Sequence, residues 1–235
     1  METEKALNNL EYKATRALIL GTTGTGKTTL ASRYVFQHPA PLILIYDWQG
    51  GEFAKRLGAP LAESRTHLAH MLESKAFRVI CYDAENAESD PESAGFDWFC
   101  GMVFEVCGWI PGRKLIVIDE GQELIDARNI PESFRVLLRR GRRRMIDTVF
   151  IADAANVIHN IGRNQVSDLY HFRGTDENAM DYAEGLGVTP DEIRGLDDLE
   201  FIHVNTRTGE KKKLALVHEK SSAKETPTTE RTLDG

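Results

Sequence analysis

The sequence contains few cysteines and lacks any long uninterrupted apolar run. Its three cysteines, Cys81, Cys100 and Cys107, are odd in number and have no close pair spacing, which favours neither a disulfide framework nor a zinc site. No apolar run approaches the roughly 20 residues that a membrane-spanning helix needs. The N-terminal segment 1–13 has no apolar signal core either. We therefore expect a cytoplasmic protein without a membrane-spanning segment.

An excess of basic charge is also missing. The chain has 29 Lys and Arg against 36 Asp and Glu, a net charge of −7, so any contact with nucleic acid has to come from a local basic patch. A length of 235 residues favours one sizeable domain. We expect an N-terminal arm at 1–15, a single domain at 16–218 and a disordered, Ser/Thr/Lys/Glu/Pro-rich tail at 219–235.

The most informative stretch is 16–28, RALILGTTGTGKT. A short apolar run predicts a buried strand, and the pattern that follows it, G-x-x-x-x-G-K-T, is that of a phosphate loop leading into a helix. Glycines let backbone N–H groups turn inward around an anion, and the helix N-terminus adds to the field. The loop residues expected to bind nucleotide are Gly21, Thr22, Thr23, Gly24, Thr25, Gly26, Lys27, Thr28 and Thr29. Lys27 is expected to contact the β- and γ-phosphates and Thr28 to bind Mg²⁺.

A second motif is the apolar run 115–118 followed by Asp119 and Glu120. Asp119 is expected to hold Mg²⁺, and Glu120 to orient and polarise a water against the γ-phosphate. An adjacent Asp–Glu pair favours hydrolysis over phosphate transfer to a small acceptor. The alternative is a strand that ends in acids by chance.

Strand and helix patterns alternate along the chain. We predict strands at 17–20, 42–46, 77–82, 114–120, 148–152 and 168–172, a helix at 61–74 and a helix at 131–140 between strands, and a C-terminal hairpin at 201–217. Such alternation indicates an α/β fold with a mostly parallel sheet covered by helices on both faces. Ligands of such sheets bind at the carboxyl ends of strands. Gly21, Asp47, Asp119 and Asp153 fall at such ends, which supports a single site.

Six arginines crowd the segment 135–144. Three interpretations remain open: a solvated face, a DNA-facing patch, or an arginine that reaches a neighbouring subunit's nucleotide to stabilise the transition state. Different arginines of this segment can contact DNA and reach the neighbouring nucleotide. The lysines at 211–213 form a second candidate for contacts with a DNA backbone.

Four segments together resemble the FtsK–HerA superfamily of DNA-pumping ATPases, which have a RecA-like core. They are the phosphate loop GTTGTGKTT, the strand ending in Asp47 followed by Gly51-Glu52, the segment IVIDE, and RRGRRRMIDTVFIA, which carries arginines into the next strand. The resemblance implies ATP and Mg²⁺ as cofactors, a nucleotide contact at Asp47, and a homo-oligomeric ring, a hexamer by that analogy. It implies Arg142, with Arg143 in reserve, as the arginine that acts in trans.

Within the superfamily the short chain is most similar to genome-packaging ATPases of tailless, membrane-containing viruses. The implied function is an ATP-driven translocase that moves double-stranded DNA into a preformed capsid, acting in the host cytoplasm or at the packaging vertex beside capsid vertex proteins. A nucleotide-dependent assembly protein, a plasmid- or conjugation-type pump and a phosphotransferase are the alternatives. The sequence departs from the family at one point: the Thr-Gln pair after the fifth predicted strand is replaced by Asp153 and Ala154, and Asn156 is a substitute amide donor.

Overall fold

The computed structural model describes residues 12–48, 50–124, 130–153 and 165–216. Within them the chain forms one nine-stranded sheet. The strands are β1 (Arg16–Leu20), β2 (Leu42–Asp47), β3 (Leu61–Ala62), β4 (Val79–Asp83), β5 (Lys114–Ile118), β6 (Ile146–Ala152), β7 (Asp168–Phe172), β8 (Glu200–Asn205) and β9 (Glu210–Ala215). The tail at 219–235 and most of the expected N-terminal arm lie outside the described residues.

The strand order is β3-β4-β2-β5-β6-β1-β7-β8-β9. Every pairing from β3 to β7 is parallel, and β8 and β9 add an antiparallel hairpin at one edge. The predicted α/β class, the mostly parallel sheet and the C-terminal hairpin are therefore confirmed.

The helices are α1 (Lys27–Gln37), α2 (Glu52–Leu57), α3 (Arg65–Ser74), α4 (Ala84–Ala87), α5 (Phe96–Trp109), α6 (Gly121–Leu124), α7 (Glu132–Arg140), α8 (Glu177–Glu184) and α9 (Pro190–Arg194). A π-helical turn, Pro91–Gly95, precedes α5, and a 3₁₀ turn, Gly141–Arg144, follows α7. None of the helices in the described part of the chain has the length and apolar character needed to cross a membrane.

The predicted helix at 61–74 is wrong at its start. Leu61 and Ala62 instead form β3, which pairs with β4 at the edge of the sheet. The helix begins at Arg65 because the Ser64 hydroxyl accepts a hydrogen bond from the His67 amide at 3.1 Å, as an N-cap residue does. The sequence pattern places the apolar Leu61 on a helical face, whereas it belongs to the preceding strand.

Two apolar layers cover the sheet because successive strand residues point to opposite faces. In β1, Leu18 and Leu20 belong to the layer built from α3, α5, α7, α8 and α9. Ala17 and Ile19 belong to the layer built from α1 and α2. The cysteines are buried in these layers, and Cys100 and Cys107 belong to the core on α5. Burial raises the pKa of the Cys107 thiol to about 12, so this thiol is not a reactive one.

Strand β6 lies between the strand that carries the phosphate loop and the strand that carries the acidic pair. Leu20 of β1 is opposite Ala152, and Ile118 of β5 is opposite Phe150. The residue that follows β6, Asp153, therefore emerges between the two motifs at the carboxyl edge of the sheet. This strand order decides which groups meet in the candidate site.

The amino edge of the sheet is tied together by Asp147, which is fully buried in β6. Its carboxylate accepts hydrogen bonds from the Thr15 amide at 2.6 Å and from His38 Nε2 at 3.0 Å. Arg113 Nη2 donates at 2.8 Å and the Tyr12 hydroxyl also donates. Burial raises the pKa of Asp147, but these donors outweigh it and hold the pKa below its usual value.

We predict that Asp147→Asn lowers the free energy of unfolding at pH 7 by about 2–4 kcal/mol, because buried donors lose a charged acceptor. Since the folded-state pKa is depressed, the stabilisation is present above the unfolded pKa of about 3.9 and is lost as the pH falls through the folded value. Urea unfolding at pH 7 and at acid pH measures both effects. The exposed Asp181→Asn is the control, and equal stability of the two variants at pH 7 would contradict the prediction.

Candidate nucleotide-binding site

The phosphate loop turns sharply between β1 and α1. Gly21 has φ +146°, and a Cβ there would lie 2.6 Å from Phe172 Cβ. Gly26 has φ +113°, and a Cβ there would lie 3.0 Å from Leu199 Cδ2. Both positions combine a left-handed backbone with close contacts, so only glycine fits without strain. The loop glycines predicted from the sequence thus have a steric cause in this fold.

Two distant segments hold the loop in place. The Thr22 amide donates to the Arg173 carbonyl at 2.9 Å, after β7. The Leu199 amide donates to the Thr25 carbonyl at 3.1 Å, just before β8. The loop is therefore anchored on its outer side by the part of the chain that leads into the C-terminal hairpin.

Helix α1 starts at Lys27, and within the described residues no side chain caps its N-terminus. The first-turn amides of such a helix have no intrahelical partner. Together with the exposed Gly24, where a Cβ would meet no described atom within 4 Å, they form an open cradle. Amides at a helix N-terminus bind phosphate well, so these residues fit the triphosphate of a nucleotide.

Lys27 is buried, with 7% of the residue exposed. Its ammonium donates to the Thr22 carbonyl at 3.1 Å and forms an ion pair with Asp153. The other Asp153 oxygen accepts from the Thr23 hydroxyl at 2.7 Å. An ionised carboxylate at this position repels phosphate unless a basic group intervenes, and Lys27 is that group. The carboxylate thus contacts the ammonium that the sequence assigns to phosphate. Ala154 and Asn156 lie outside the described residues.

Asp119 follows β5 and is almost completely buried. Burial raises its pKa to about 8, and the neighbouring carboxylates of Glu120 and Asp47 add to the effect. Such a crowded acidic group fits a divalent cation, which would stabilise the ionised form. Mg²⁺ is commonly held by one or two carboxylates together with waters and substrate phosphates. Asp119 with the Thr28 hydroxyl is consistent with that pattern, although no group of three His, Cys, Asp or Glu suited to a metal occurs among the described residues.

Asp47 is fully buried at the end of β2. Its Oδ2 atom accepts from the Phe53 amide at 3.0 Å and from the Ala54 amide at 3.4 Å. These bonds satisfy amides at the start of α2. The structure therefore gives Asp47 a helix-anchoring role beside Asp119, and the nucleotide contact expected from the resemblance stays a prediction.

Thr29 lies in the first turn of α1, where its hydroxyl accepts from Arg56 Nη1 at 3.0 Å. Arg56 also forms an ion pair with Glu52 at 3.2 Å. Sequence reasoning missed this arginine. The sequence patterns predict no element between the strand at 42–46 and the helix at 61–74, so α2 and its Arg56 are both overlooked.

Glu120 has a left-handed backbone, with φ +48°. The predicted strand 114–120 ends earlier, at Ile118, and the turn at Glu120 leads directly into α6. Gln122, the second residue that sequence reasoning missed, donates from Nε2 to the Glu120 carboxylate. Its Oε1 atom accepts from the Asp153 amide at 3.2 Å. The acidic motif and the end of β6 are therefore linked by one side chain.

Arg142 and Arg143 are exposed in the 3₁₀ turn that precedes β6. They lie at the amino edge of the sheet, while the phosphate loop lies at the carboxyl edge. The seven residues of β6 separate these edges by about 20 Å at roughly 3.3 Å per residue. The structure does not bring these arginines to the phosphate loop of their own chain, so a catalytic role for either requires a second subunit and stays a prediction.

The basic clusters differ in how their charges are paired. Arg144 lies over the Phe104 ring at 3.7 Å and pairs with Glu105. The lysines of β9 all pair with glutamates, at 2.6–2.9 Å. By contrast, four arginines form no ion pair with another described residue: Arg139, Arg140, Arg142 and Arg143. The arginine cluster therefore offers more uncompensated positive charge than the lysine triplet.

Comparison with solved structures identifies the fold. The genome-packaging NTPase B204 of Sulfolobus turreted icosahedral virus 2, in complex with AMPPCP, matches with a TM-score of 0.68 at 13% identity, over 88% of this chain and 99% of that one. VirB4 of Thermoanaerobacter pseudethanolicus matches with a TM-score of 0.65 at 9% identity, over 86% of this chain and 89% of that one. The bacterial conjugative coupling protein TrwBdeltaN70 matches with a TM-score of 0.64 at 12% identity, over 86% of this chain and 84% of that one.

This chain has the P-loop ATPase fold. The structural neighbours include a viral genome-packaging NTPase and a bacterial conjugative coupling protein, the classes of protein that the sequence resemblance predicted. No family model and no curated protein matches the sequence. At these identities the likeness establishes the P-loop ATPase fold, and the chemistry has to be argued from the site itself.

We predict that Asp153→Asn tightens nucleotide binding about tenfold, which corresponds to about 1.4 kcal/mol. The variant keeps the shape and the backbone amide but removes the anion that pairs with Lys27 and repels an incoming phosphate. Titration with a fluorescent ATP analogue in the presence of Mg²⁺ measures the affinity. Asp181→Asn is the control for a change of net charge, and unchanged or weaker binding by Asp153→Asn would contradict competition for Lys27.

Proposed function

We propose that this protein hydrolyses ATP. The loop amides and Lys27 bind the phosphates, Thr28 and Asp119 hold Mg²⁺, and Glu120 orients and polarises the attacking water. The observation that carries this proposal is the sheet order, because β6 alone separates the strand of the phosphate loop from the strand of the acidic pair. Both motifs thus end at the same edge, where Lys27 and Glu120 are linked through Asp153 and Gln122.

We further propose that hydrolysis drives the movement of double-stranded DNA into a viral capsid. Two observations support this function. The exposed cluster Arg139, Arg140, Arg142 and Arg143 supplies the local positive charge that DNA binding needs in a chain of net charge −7. B204, whose fold this chain matches over nearly the whole length of B204, is described as a genome-packaging NTPase.

The proposed assembly is a homo-oligomeric ring, and the sequence resemblance suggests six subunits. Because Arg142 lies at the sheet edge remote from its own phosphate loop, a role in catalysis requires the nucleotide of an adjacent subunit. A ring of head-to-tail interfaces allows the two edges of neighbouring subunits to meet in every interface. Capsid vertex proteins are the partners that a packaging role implies.

A conjugation-type DNA pump is the second candidate. VirB4 and TrwBdeltaN70 match this chain with TM-scores of 0.65 and 0.64, close to that of the viral NTPase. Both functions share the ATPase site and a need for sequence-independent DNA contacts. They differ in the partner, so binding to capsid vertex proteins favours packaging, and binding to components of a secretion channel favours conjugation.

We predict that Arg142→Ala lowers the rate of ATP hydrolysis about 10³- to 10⁵-fold, which leaves the variant effectively inert, while its affinity for ATP stays unchanged. Mixing inert Lys27→Ala subunits with inert Arg142→Ala subunits restores part of the activity, because some interfaces then combine an intact phosphate loop with an intact arginine. Steady-state ATPase assays of each variant and of the mixture test this. Arg139→Ala is the control substitution, and it should leave the rate of hydrolysis unchanged. Normal turnover in Arg142→Ala, or an inert mixture of assembled variants, would contradict action in trans.

We predict that the protein binds double-stranded DNA without sequence preference and that affinity falls steeply with salt. The double substitution Arg139→Ala with Arg140→Ala weakens binding and reduces the slope of log K against log salt concentration by about 2, because each phosphate contact contributes about 1. Lys212→Ala with Lys213→Ala, whose charges are paired with glutamates, leaves the slope nearly unchanged. Fluorescence anisotropy at several salt concentrations provides the slopes.

ATPase assays with and without that DNA, run beside mass measurement of the assembled species, complete the test. DNA-stimulated hydrolysis by a ring supports the motor. Hydrolysis indifferent to DNA, together with a salt-insensitive affinity, would instead support a nucleotide-dependent assembly protein.

A further inference from the structure

Gln122 uses both ends of its amide. Its Nε2 atom donates to the carboxylate of Glu120, and its Oε1 atom accepts from the Asp153 amide at 3.2 Å. The chemistry fixes this orientation of the amide, because only the NH₂ group donates to a carboxylate and only the carbonyl oxygen accepts from a backbone N–H. The reversed orientation would place like groups against each other at both contacts.

The two partners of Gln122 belong to different parts of the site. Glu120 follows β5 in a left-handed turn with φ +48°. Such a backbone is unfavourable in a residue other than glycine and persists only where its surroundings impose it. Asp153 follows β6, and its side chain contacts Lys27 and Thr23 of the phosphate loop. One residue therefore touches the phosphate loop with its carboxylate and Gln122 with its amide.

A continuous series of polar contacts results, from Lys27 to Asp153, then to Gln122 and finally to Glu120. Each step joins groups on different elements: α1, the end of β6, α6 and the turn after β5. In a site where a water must be oriented, a carboxylate free to rotate is less effective than one held in a single direction. The contact from Gln122 restricts the Glu120 carboxylate in this way.

We propose that Gln122 is a positioning residue, which aligns the Glu120 carboxylate with the end of β6 and thereby with the phosphate that Lys27 binds. The inference rests on the proposed ATP hydrolysis and deepens it. Gln122 acts through Glu120, and the Asp153 amide gives it a fixed reference point beside the phosphate loop.

The test compares Gln122→Ala and Gln122→Glu with Gln37→Ala, an exposed glutamine at the end of α1. Gln122→Glu keeps the size of the side chain but replaces the donor with a carboxylate that repels Glu120. We expect both substitutions at Gln122 to lower kcat about 10- to 100-fold while the Kd for Mg-ATP changes less than about twofold, because removing one positioning contact affects the transition state and not ground-state binding. Gln37→Ala leaves both values unchanged.

A second measurement does not depend on activity. Amide hydrogen exchange at Asp153, followed by NMR in the nucleotide-free protein, should become at least several-fold faster in Gln122→Ala, because the amide loses its acceptor. Exchange at this amide in Gln37→Ala stays at the wild-type rate. Unchanged exchange in Gln122→Ala would overturn the contact, and unchanged kcat in both Gln122 variants would overturn the role.

The outcomes separate this inference from the proposed function. A wild-type protein that binds Mg-ATP and does not hydrolyse it contradicts the proposed ATPase. A wild-type protein that hydrolyses ATP, with Gln122 variants that lose affinity as much as kcat, leaves the ATPase in place and overturns the positioning role, since Gln122 would then only support the fold of the site.

Discussion

The buried ammonium of Lys27 is the constraint on which the site depends. A lysine with so little exposure requires a counter-charge and hydrogen-bond acceptors, because an unpaired charge is costly to remove from water. The phosphate-loop carbonyl of Thr22 and the carboxylate of Asp153 supply them. Phosphate would satisfy the same requirement in the liganded protein. In the proposed function, Asp153 thus holds the Lys27 ammonium until a phosphate takes its place.

Strand order explains why that acid is available. Asp153 can reach Lys27 because β6 lies next to β1, and its amide can reach Gln122 because β6 also lies next to β5. If β5 and β1 were adjacent, the acidic pair and the phosphate loop would meet without an intervening residue. The middle strand thus adds a series of polar contacts between them. In the superfamily that the sequence resembles, a Thr-Gln pair stands at this position, and here an aspartate takes it.

The sequence predicts those features that are encoded in neighbouring residues. The glycines and lysine of the loop, the apolar strands and the acids after β5 are local patterns, and the structure confirms the sheet that they imply. The Leu61–Ala62 strand is mistaken for helix because two residues carry no periodicity, and its pairing with β4 decides its conformation. Gln122 is missed because its partners lie 2 and 31 residues away, and no local pattern marks a side chain that bridges them.

The position of the arginines limits how this fold can work as a motor. Asp153 follows the carboxyl end of strand β6, and the turn that contains Arg142 and Arg143 precedes its amino end. If phosphate replaces Asp153 at Lys27, the change acts on β6. The arginine turn precedes this same strand. A rigid strand within a parallel sheet transmits displacement along its length more readily than a loop does, because it is hydrogen-bonded to a neighbouring strand on each side. If subunits meet with the arginine edge of one against the phosphate edge of the next, nucleotide state in one site and arginine position in the adjacent site are coupled through this single element. A monomer has no such coupling, so this proposed mechanism depends on the oligomer.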